Sequence, residues 1–178
     1  MIAVTIFLSY AGVALSDQKD IRLPKLFSDL KLSASEDAAQ VVEKKIWEIW
    51  ASHKVPQIDF LMDRGIKLLN NNKLNKALVV FNLIIDQAPD FSEAWNKRAT
   101  VYFLMGDFEK SMHDIESTLA LEPRHFGAIS GLGLIFNVLE RPELALKAFR
   151  RVKEIYPLSR SAERFIRKLN KTIPELRL

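Results

Sequence analysis

Residues 58–91 read IDFLMDRGIKLLNNNKLNKALVVFNLIIDQAPDF, and the next 34, residues 92–125, read SEAWNKRATVYFLMGDFEKSMHDIESTLALEPRH. Residues 126–157 follow as FGAISGLGLIFNVLERPELALKAFRRVKEIYP. Pro89, Pro123 and Pro157 stand 34 residues apart, and each closes a segment with the same order of small and large residues. A fixed period of this size marks stacked copies of one supersecondary unit. The sequence therefore describes a helical repeat module built to bind something, and leaves the bound partner open.

The first copy places Leu61, Arg64, Gly65 and Leu68 on one helix, then an Asn70-Asn71-Asn72 turn, then Ala77 and Phe81 on a second helix. The second has Trp95, Arg98, Ala99 and Tyr102, a Gly106-Asp107 turn, then Ser111 and Ile115. The third has Ile129, Leu132, Gly133 and Phe136, a turn at Glu140-Arg141-Pro142, then Ala145 and Phe149. Gly65, Ala99 and Gly133 mark the closest approach of the two helices, where a larger side chain would force the backbones apart. Ala77, Ser111 and Ala145 are the matching small positions, and Phe81, Ile115 and Phe149 fill the wedge beside them. Each closing proline lacks an amide hydrogen and turns the residue before it away from helix, which sets the turn into the next unit.

In these residues the chain resembles the tetratricopeptide (TPR) repeats, whose pattern is W-x2-L-G-x2-Y, then A-x3-F, then P. Every copy meets the pattern in part and none in full. The central copy has the Trp and Tyr, but Arg98 and Ala99 stand for Leu-Gly, and Ser111 and Ile115 for Ala and Phe. The resemblance implies an all-α fold: a right-handed α-solenoid of three TPR helix pairs, with an N-terminal helical cap and a C-terminal capping helix. It also implies a non-catalytic module that binds a peptide or helix of a protein partner in a concave groove lined by the first helices. Carried over position by position, that groove comprises Asp59, Met62, Ile66, Leu69 and Asn70, then Glu93, Asn96, Thr100, Phe103 and Leu104, then Gly127, Ser130, Leu134, Asn137 and Val138. The lining is acidic at its leading edge and apolar at mid-groove, with Asn96 and Asn137 as hydrogen-bonding candidates for a peptide backbone. Some TPR co-chaperones clamp a terminal carboxylate with Lys and Asn in the first repeat and Lys and Arg in the third. Here Met62, Ile66, Gly127 and Ser130 occupy those stretches, so the clamp is absent. Alternatively, the chain's own N-terminal helices, or its first residues, fill the apolar positions.

Before the repeats, Met1 to Leu15 is apolar and uncharged. It is short for a membrane span, which needs about 20 apolar residues. It suits the apolar region of a secretory signal, with Ala14 and Ser16 as small residues before a cut at Asp17. No Lys or Arg precedes it. Either the natural start lies upstream or the segment is an N-terminal helix packed on the array. The expected location is periplasmic or secreted, and the alternative is cytoplasmic or membrane-associated with the segment retained.

After a polar linker, Leu23, Leu26, Phe27 and Leu30 fall at helical spacing behind Pro24. Ser33 and Glu36 have the spacing of a capping box for a second helix. On that helix Ala38, Val42, Ile46 and Trp50 recur every four residues, widened by Ala39 and Trp47. Tryptophans on such a stripe are read as core. The pair is expected to cover the N-terminal face of the stack.

Past the repeats, Leu158, Ala162, Phe165, Ile166 and Leu169 form one stripe, and Arg160, Arg164, Arg167, Lys168 and Lys171 form another about 200° away. Residues 141–178 hold 11 Lys and Arg against 4 Asp and Glu, so they carry +7 of an overall +4, leaving −3 on the rest. This face is either the solvated side of a capping helix or a footprint for an acidic partner or an anionic surface. Aromatics do not interleave its charges, so no specific nucleic-acid binding is expected.

No catalytic constellation emerges. The chain has no cysteine, and His53, His113 and His125 lack metal spacing. Gly131-x-Gly133 lies inside a helix and reads as close packing, not as a nucleotide loop. No cofactor and no metal are expected. The chain divides into an apolar segment or signal peptide at 1–16, a linker at 17–22, a degenerate helix pair at 23–57, repeats at 58–91, 92–125 and 126–157, a capping helix at 158–172 and a tail at 173–178. Trp95 is expected to be buried between helices.

Overall fold

The computed structural model describes residues 17–172, so the apolar segment 1–16 and the tail 173–178 lie outside the described residues. After a 3-10 turn at Asp17–Lys19 come α1 (Leu23–Leu32), α2 (Glu36–Ala51), α3 (Pro56–Asn70), α4 (Leu74–Gln87) and α5 (Ser92–Met105). These are followed by α6 (Phe108–Leu121), α7 (Phe126–Val138), α8 (Pro142–Ile155) and α9 (Arg160–Thr172). Helices α3–α4, α5–α6 and α7–α8 are three stacked antiparallel pairs, and the described residues contain no strand.

The repeat is visible in the hydrogen bonds. The turn within each pair is closed by Lys73 N to Leu68 O, Asp107 N to Tyr102 O and Arg141 N to Phe136 O, each at 2.8–2.9 Å. One residue of each turn, Asn72, Gly106 and Glu140, has a positive φ of 55°, 79° and 55°. The step between pairs repeats as well: Phe91 N, His125 N and Ser159 N donate to Ala88 O, Glu122 O and Tyr156 O. Local sequence at a 34-residue spacing thus sets each bend before any long-range packing occurs.

Close approach of the paired helices falls where the small residues stand. A Cβ on Gly65 would lie 2.6 Å from the Phe81 ring, and one on Gly133 would lie 2.8 Å from Phe149. The central pair solves the same problem with polar chemistry. Ser111 Oγ donates to Ala99 O at 2.8 Å. Arg98, where the family has Leu, donates to both oxygens of Asp114 (2.7 and 2.8 Å) and to Asn82 Oδ1 (2.8 Å). Asp114 is thus committed to Arg98, with His113 Nδ1 3.5 Å from the same carboxylate. Trp95 is only partly buried, contrary to the expectation from its position. Its Nε1 donates to Pro89 O at 2.9 Å and its face carries the Arg98 guanidinium at 4.8 Å.

The N-terminal helix pair forms, but it does not cover the open face of the first repeat. Helix α2 lies along the row of turns between repeats, running from the third back to the first. Glu36 pairs with Arg160, Glu43 accepts from the Tyr156 hydroxyl at 3.1 Å, Trp50 stacks on His125 at 4.1 Å, and His53 meets Phe91 at 5.0 Å. Sixteen helical residues span about 24 Å, enough to bridge these turns. Helix α1 backs it, with Phe27 against Trp50 at 5.8 Å and under the Arg124 guanidinium at 4.1 Å. Its apolar stripe joins α7, α8 and α9 in one core. The first repeat needs no cover, because Asp63, Arg64 and Lys67 on its outer side are exposed. Phe60 is out of place: it is 65% exposed, while its repeat counterparts Ala94 and Ala128 are buried against the preceding pair. The cap of α2 also differs from expectation. Ser35 Oγ accepts from Ala38 N at 3.2 Å, whereas Ser33 Oγ donates back to Asp29 O.

Helix α9 continues the stack as an unpaired first helix. Ala162 and Leu169 are buried, as are Ala128 and Ile135 one period earlier and Ala94 and Val101 two periods earlier. Phe165 stacks on Phe149 at 4.6 Å. Among the described residues the architecture is thus an all-helical solenoid, with α1 and α2 laid along its row of turns and α9 at its C-terminal end.

Candidate partner-binding groove

The positions read as groove fall into a closed half and an open half. At the leading edge, Asp59 Oδ1 accepts the His53 amide at 3.0 Å, Met62 is fully buried, and Gly127 lies under Trp47. A Cβ on Gly127 would come within 2.4 Å of the Trp47 ring, so only glycine admits the indole here. Glu93 and Asn96 are buried and Asp59 is half-buried, so the acidic leading edge expected from the sequence is largely withdrawn from solvent. The chain's own α2 occupies that edge.

Glu93 sits at the centre of a charged node. One carboxylate oxygen is 2.9 Å from His125 Nε2 and also accepts from Asn96 Nδ2 at 2.9 Å. The other is 2.9 Å from Lys97 Nζ. His125 Nδ1 accepts the Ala128 amide at 3.1 Å and caps α7, which places the ring proton on Nε2, facing Glu93. Lys97 lies over Trp47 at 5.3 Å and Trp50 covers the imidazole. Burial alone would raise the Glu93 carboxyl, but Lys97 and then His125 outweigh it and bring the group down to about 2. Asn96 is thus held by Glu93, and its side chain also stands on the wall of the cleft between α5 and α7. Burial and then Glu43 push the nearby Tyr156 hydroxyl above its ordinary range.

A pH prediction follows with a definite sign. The folded value of Glu93, about 2, lies below its ordinary 4.5, so its contribution is complete above pH 4.5 and is lost as pH falls towards 2. Thermal melts of the wild type and Glu93→Gln should converge between these two values. A gap that stays constant across that interval would show that Glu93 is not held as a carboxylate.

The open half is uncharged. Ile66, Leu69, Phe103, Leu134 and Asn137 are half-buried, and Asn70, Thr100, Leu104 and Val138 are exposed. Between α5, α6 and α7 the lining encloses a cavity of about 140 Å³, walled by Thr100, Phe103, Ser130, Leu134, Ile115 and Gly131 among others. Ser130 turns its hydroxyl inward to Phe126 O at 2.7 Å, and Thr100 to Asn96 O at 3.0 Å, so the walls present mostly carbon. An apolar cavity of about 150 Å³ holds a benzene ring. This one has room for a single large side chain. On α9, Arg160, Arg164, Arg167, Lys168 and Lys171 are all exposed, with Arg160 held by Glu36.

The sequence reading missed the node. Its signal was faint: Glu93 and Lys97 stand one helical turn apart on the groove side, and Gly127 leaves the second residue of α7 without a side chain. The sequence does not show what covers them. Among the described residues no group of His, Asp and Glu could hold a metal ion. No helix among them is long and apolar enough to cross a membrane.

No family model matches the chain. A TPR repeat-containing protein of Rhizobium etli is 39% identical over 142 residues, which is 80% of this chain and 70% of the relative. Among solved structures, the first TPR of Spaghetti (RPAP3), bound to an HSP90 peptide, is similar with a TM-score of 0.61 and 25% identity, over 65% of this chain and 91% of that one. The TPR domain of Sgt2 from Aspergillus fumigatus shares the fold with a TM-score of 0.63 and 23% identity, over 71% of this chain and 83% of that one. Such domains are protein-interaction scaffolds, not enzymes. With a relative of that identity and coverage, and with the 34-residue hydrogen-bond period, the chain belongs to the TPR repeat proteins.

Proposed function

We propose that this protein is an adaptor that takes an apolar segment of a protein partner into the open half of its groove. The carrying observation is the uncharged cavity between α5 and α7, where Thr100, Phe103, Ser130 and Leu134 converge. The HSP90 peptide of the Spaghetti structure is not a ligand expected here. Met62 is buried and Ile66, Gly127 and Ser130 carry no charge, so nothing at those positions would hold a carboxylate. The test is a photo-crosslinking residue at position 100 in the native host. It should capture a partner that Leu134→Asp abolishes while the melting temperature stays put. Crosslinks insensitive to Leu134→Asp would move the binding site elsewhere.

A second reading rests on the exposed basic residues of α9, which suit an anionic membrane surface. Vesicles containing phosphatidylserine should then retain the protein at low salt, and retention unaffected by Arg160/Arg164/Arg167→Glu would remove that reading. Export remains our proposal from the composition of residues 1–16. Sequencing the N-terminus of the protein from its host tests it, and an intact Met1 would sink it.

A further inference from the structure

The groove does not end with the third repeat. Helix α9 repeats the burial pattern of α5 and α7, so its groove-facing positions can be read off at 34-residue intervals. Arg164 is the counterpart of Ser130 and Asn96, Lys168 that of Leu134 and Thr100, and Lys171 that of Asn137 and Phe103. Three uncharged rows are thus followed by a basic one. The structure supports this register directly. Lys168 and the groove residue Asn137 line the same hollow of about 400 Å³, whose walls also include Glu140, Pro142, Leu169 and Thr172.

The acidic residues near this row are mostly committed. Glu163 pairs with Lys153 at 2.9 Å, and Glu36 pairs with Arg160. Among the described residues neither Arg164 nor Lys168 forms an ion pair. Glu140 stands on the wall of the hollow and offsets part of the charge, but the row stays positive. Arg164 and Lys168 are four residues apart, so they project side by side from one face of the helix.

We propose that the groove selects a partner segment in which an apolar stretch is followed, on the side that meets α9, by acidic residues. This rests on the groove reading above. The apolar stretch fills the cleft between α5 and α7, and the carboxylates meet Arg164 and Lys168. Neighbouring first helices lie about 10 Å apart. The anchor between α5 and α7 is thus about 15 Å from α9, and at about 3.4 Å per extended residue the acidic run begins four to five residues from it. Register places Arg164 one turn before Lys168 on the groove side of α9, and Arg164 also lines a second hollow of about 540 Å³ with Arg160, Arg167, Glu36 and Glu163.

Three fluorescein-labelled synthetic peptides test this by anisotropy. One carries a Leu-rich octapeptide followed by four Asp and Glu residues, the second replaces the acids by Ser and Gln, and the third carries the acids alone. The first should bind at least about tenfold more tightly than the second at 50 mM salt. That advantage should fade towards unity at 0.5 M salt as screening shortens. Arg164→Glu/Lys168→Glu should abolish the advantage, and Arg150→Glu on the exposed side of α8 should not. Circular dichroism checks that each variant folds. Equal binding of the first two peptides, both lost in Leu134→Asp, would overturn the inference while leaving the groove reading intact. Binding of the acids alone as tightly as the first peptide would also overturn it. So would a first peptide that does not bind, or phosphatidylserine vesicles that need Arg164 and Lys168 when the first peptide does not.

Discussion

Trp50→Ala is expected to lower the melting temperature by about 6–20 °C. The indole is fully buried and touches four rings: His125 at 4.1 Å, Phe126 at 5.1 Å, Trp47 at 5.3 Å and Phe27 at 5.8 Å. Truncating a buried Trp to Ala costs about 3–5 kcal/mol, and each kcal/mol moves a protein of this size by about 2–4 °C. The site makes the upper part of the range reachable, since three elements, α1, α2 and the start of α7, would share the hole. Helix α2 also bridges the turns between repeats, so weakening it releases restraints on the whole stack. Trp50→Phe separates ring packing from the polar atom. The indole Nε1 has no hydrogen-bond partner, so replacing it by a phenyl ring gives up area without breaking a bond, and it should cost less than half as much. Circular dichroism melts of the two variants decide the matter. A Trp50→Ala curve within 2 °C of wild type would mean that the N-terminal pair contributes nothing to the fold.

The sequence made the stack legible because its determinants are local and periodic. Gly65 and Phe81, or Gly133 and Phe149, are brought together by one turn, so their spacing alone predicts the contact that the structure shows. Trp47 and Trp50 were legible as core for the same kind of reason, a stripe of fixed period. Their partners were not. Nothing within residues 23–57 states that the stripe meets His125 and Gly127 instead of the first repeat, because that choice depends on surfaces assembled only after the repeats stack. Glu93 shows the limit most clearly. Register gives the direction of its side chain, towards the groove, but not what lies over it. Ser35 and Ser33 differ by two residues and either could begin the helix, and the structure chose the nearer one. Helix α9 is a different case. Ala162 stands 34 residues after Ala128 and 68 after Ala94, so its kinship with the first helices was written in the sequence. It also closes the described stack as the capping helix expected from its amphipathic stripe.

Asp114→Ala is expected to cost about 3–5 kcal/mol, the usual penalty for leaving one partner of a buried ion pair alone. Asp114 is 2% exposed and Arg98 16%, and the two are joined by a bidentate pair at 2.7 and 2.8 Å. Without the carboxylate, Arg98 keeps Asn82, the charge of Asp86 and the faces of Trp95 at 4.8 Å and Tyr102 at 5.8 Å. The more informative variant is the double one, Arg98→Leu with Asp114→Ala, which restores the family's leucine. Replacing a buried pair by apolar residues is often neutral or stabilising by about 1–4 kcal/mol. The double variant should therefore melt at or above the wild type, and the cycle should show strong coupling between the two sites. Two single variants that add up to the double would mean that the pair is not the unit described here. If the cycle behaves as expected, the pair is not retained for stability. Arg98 on α5 holds Asn82 on α4 as well as Asp114 on α6, so it ties the first pair of helices to the second in a single orientation. That junction positions α5, the helix that supplies Thr100 and Phe103 to the cleft beside α7.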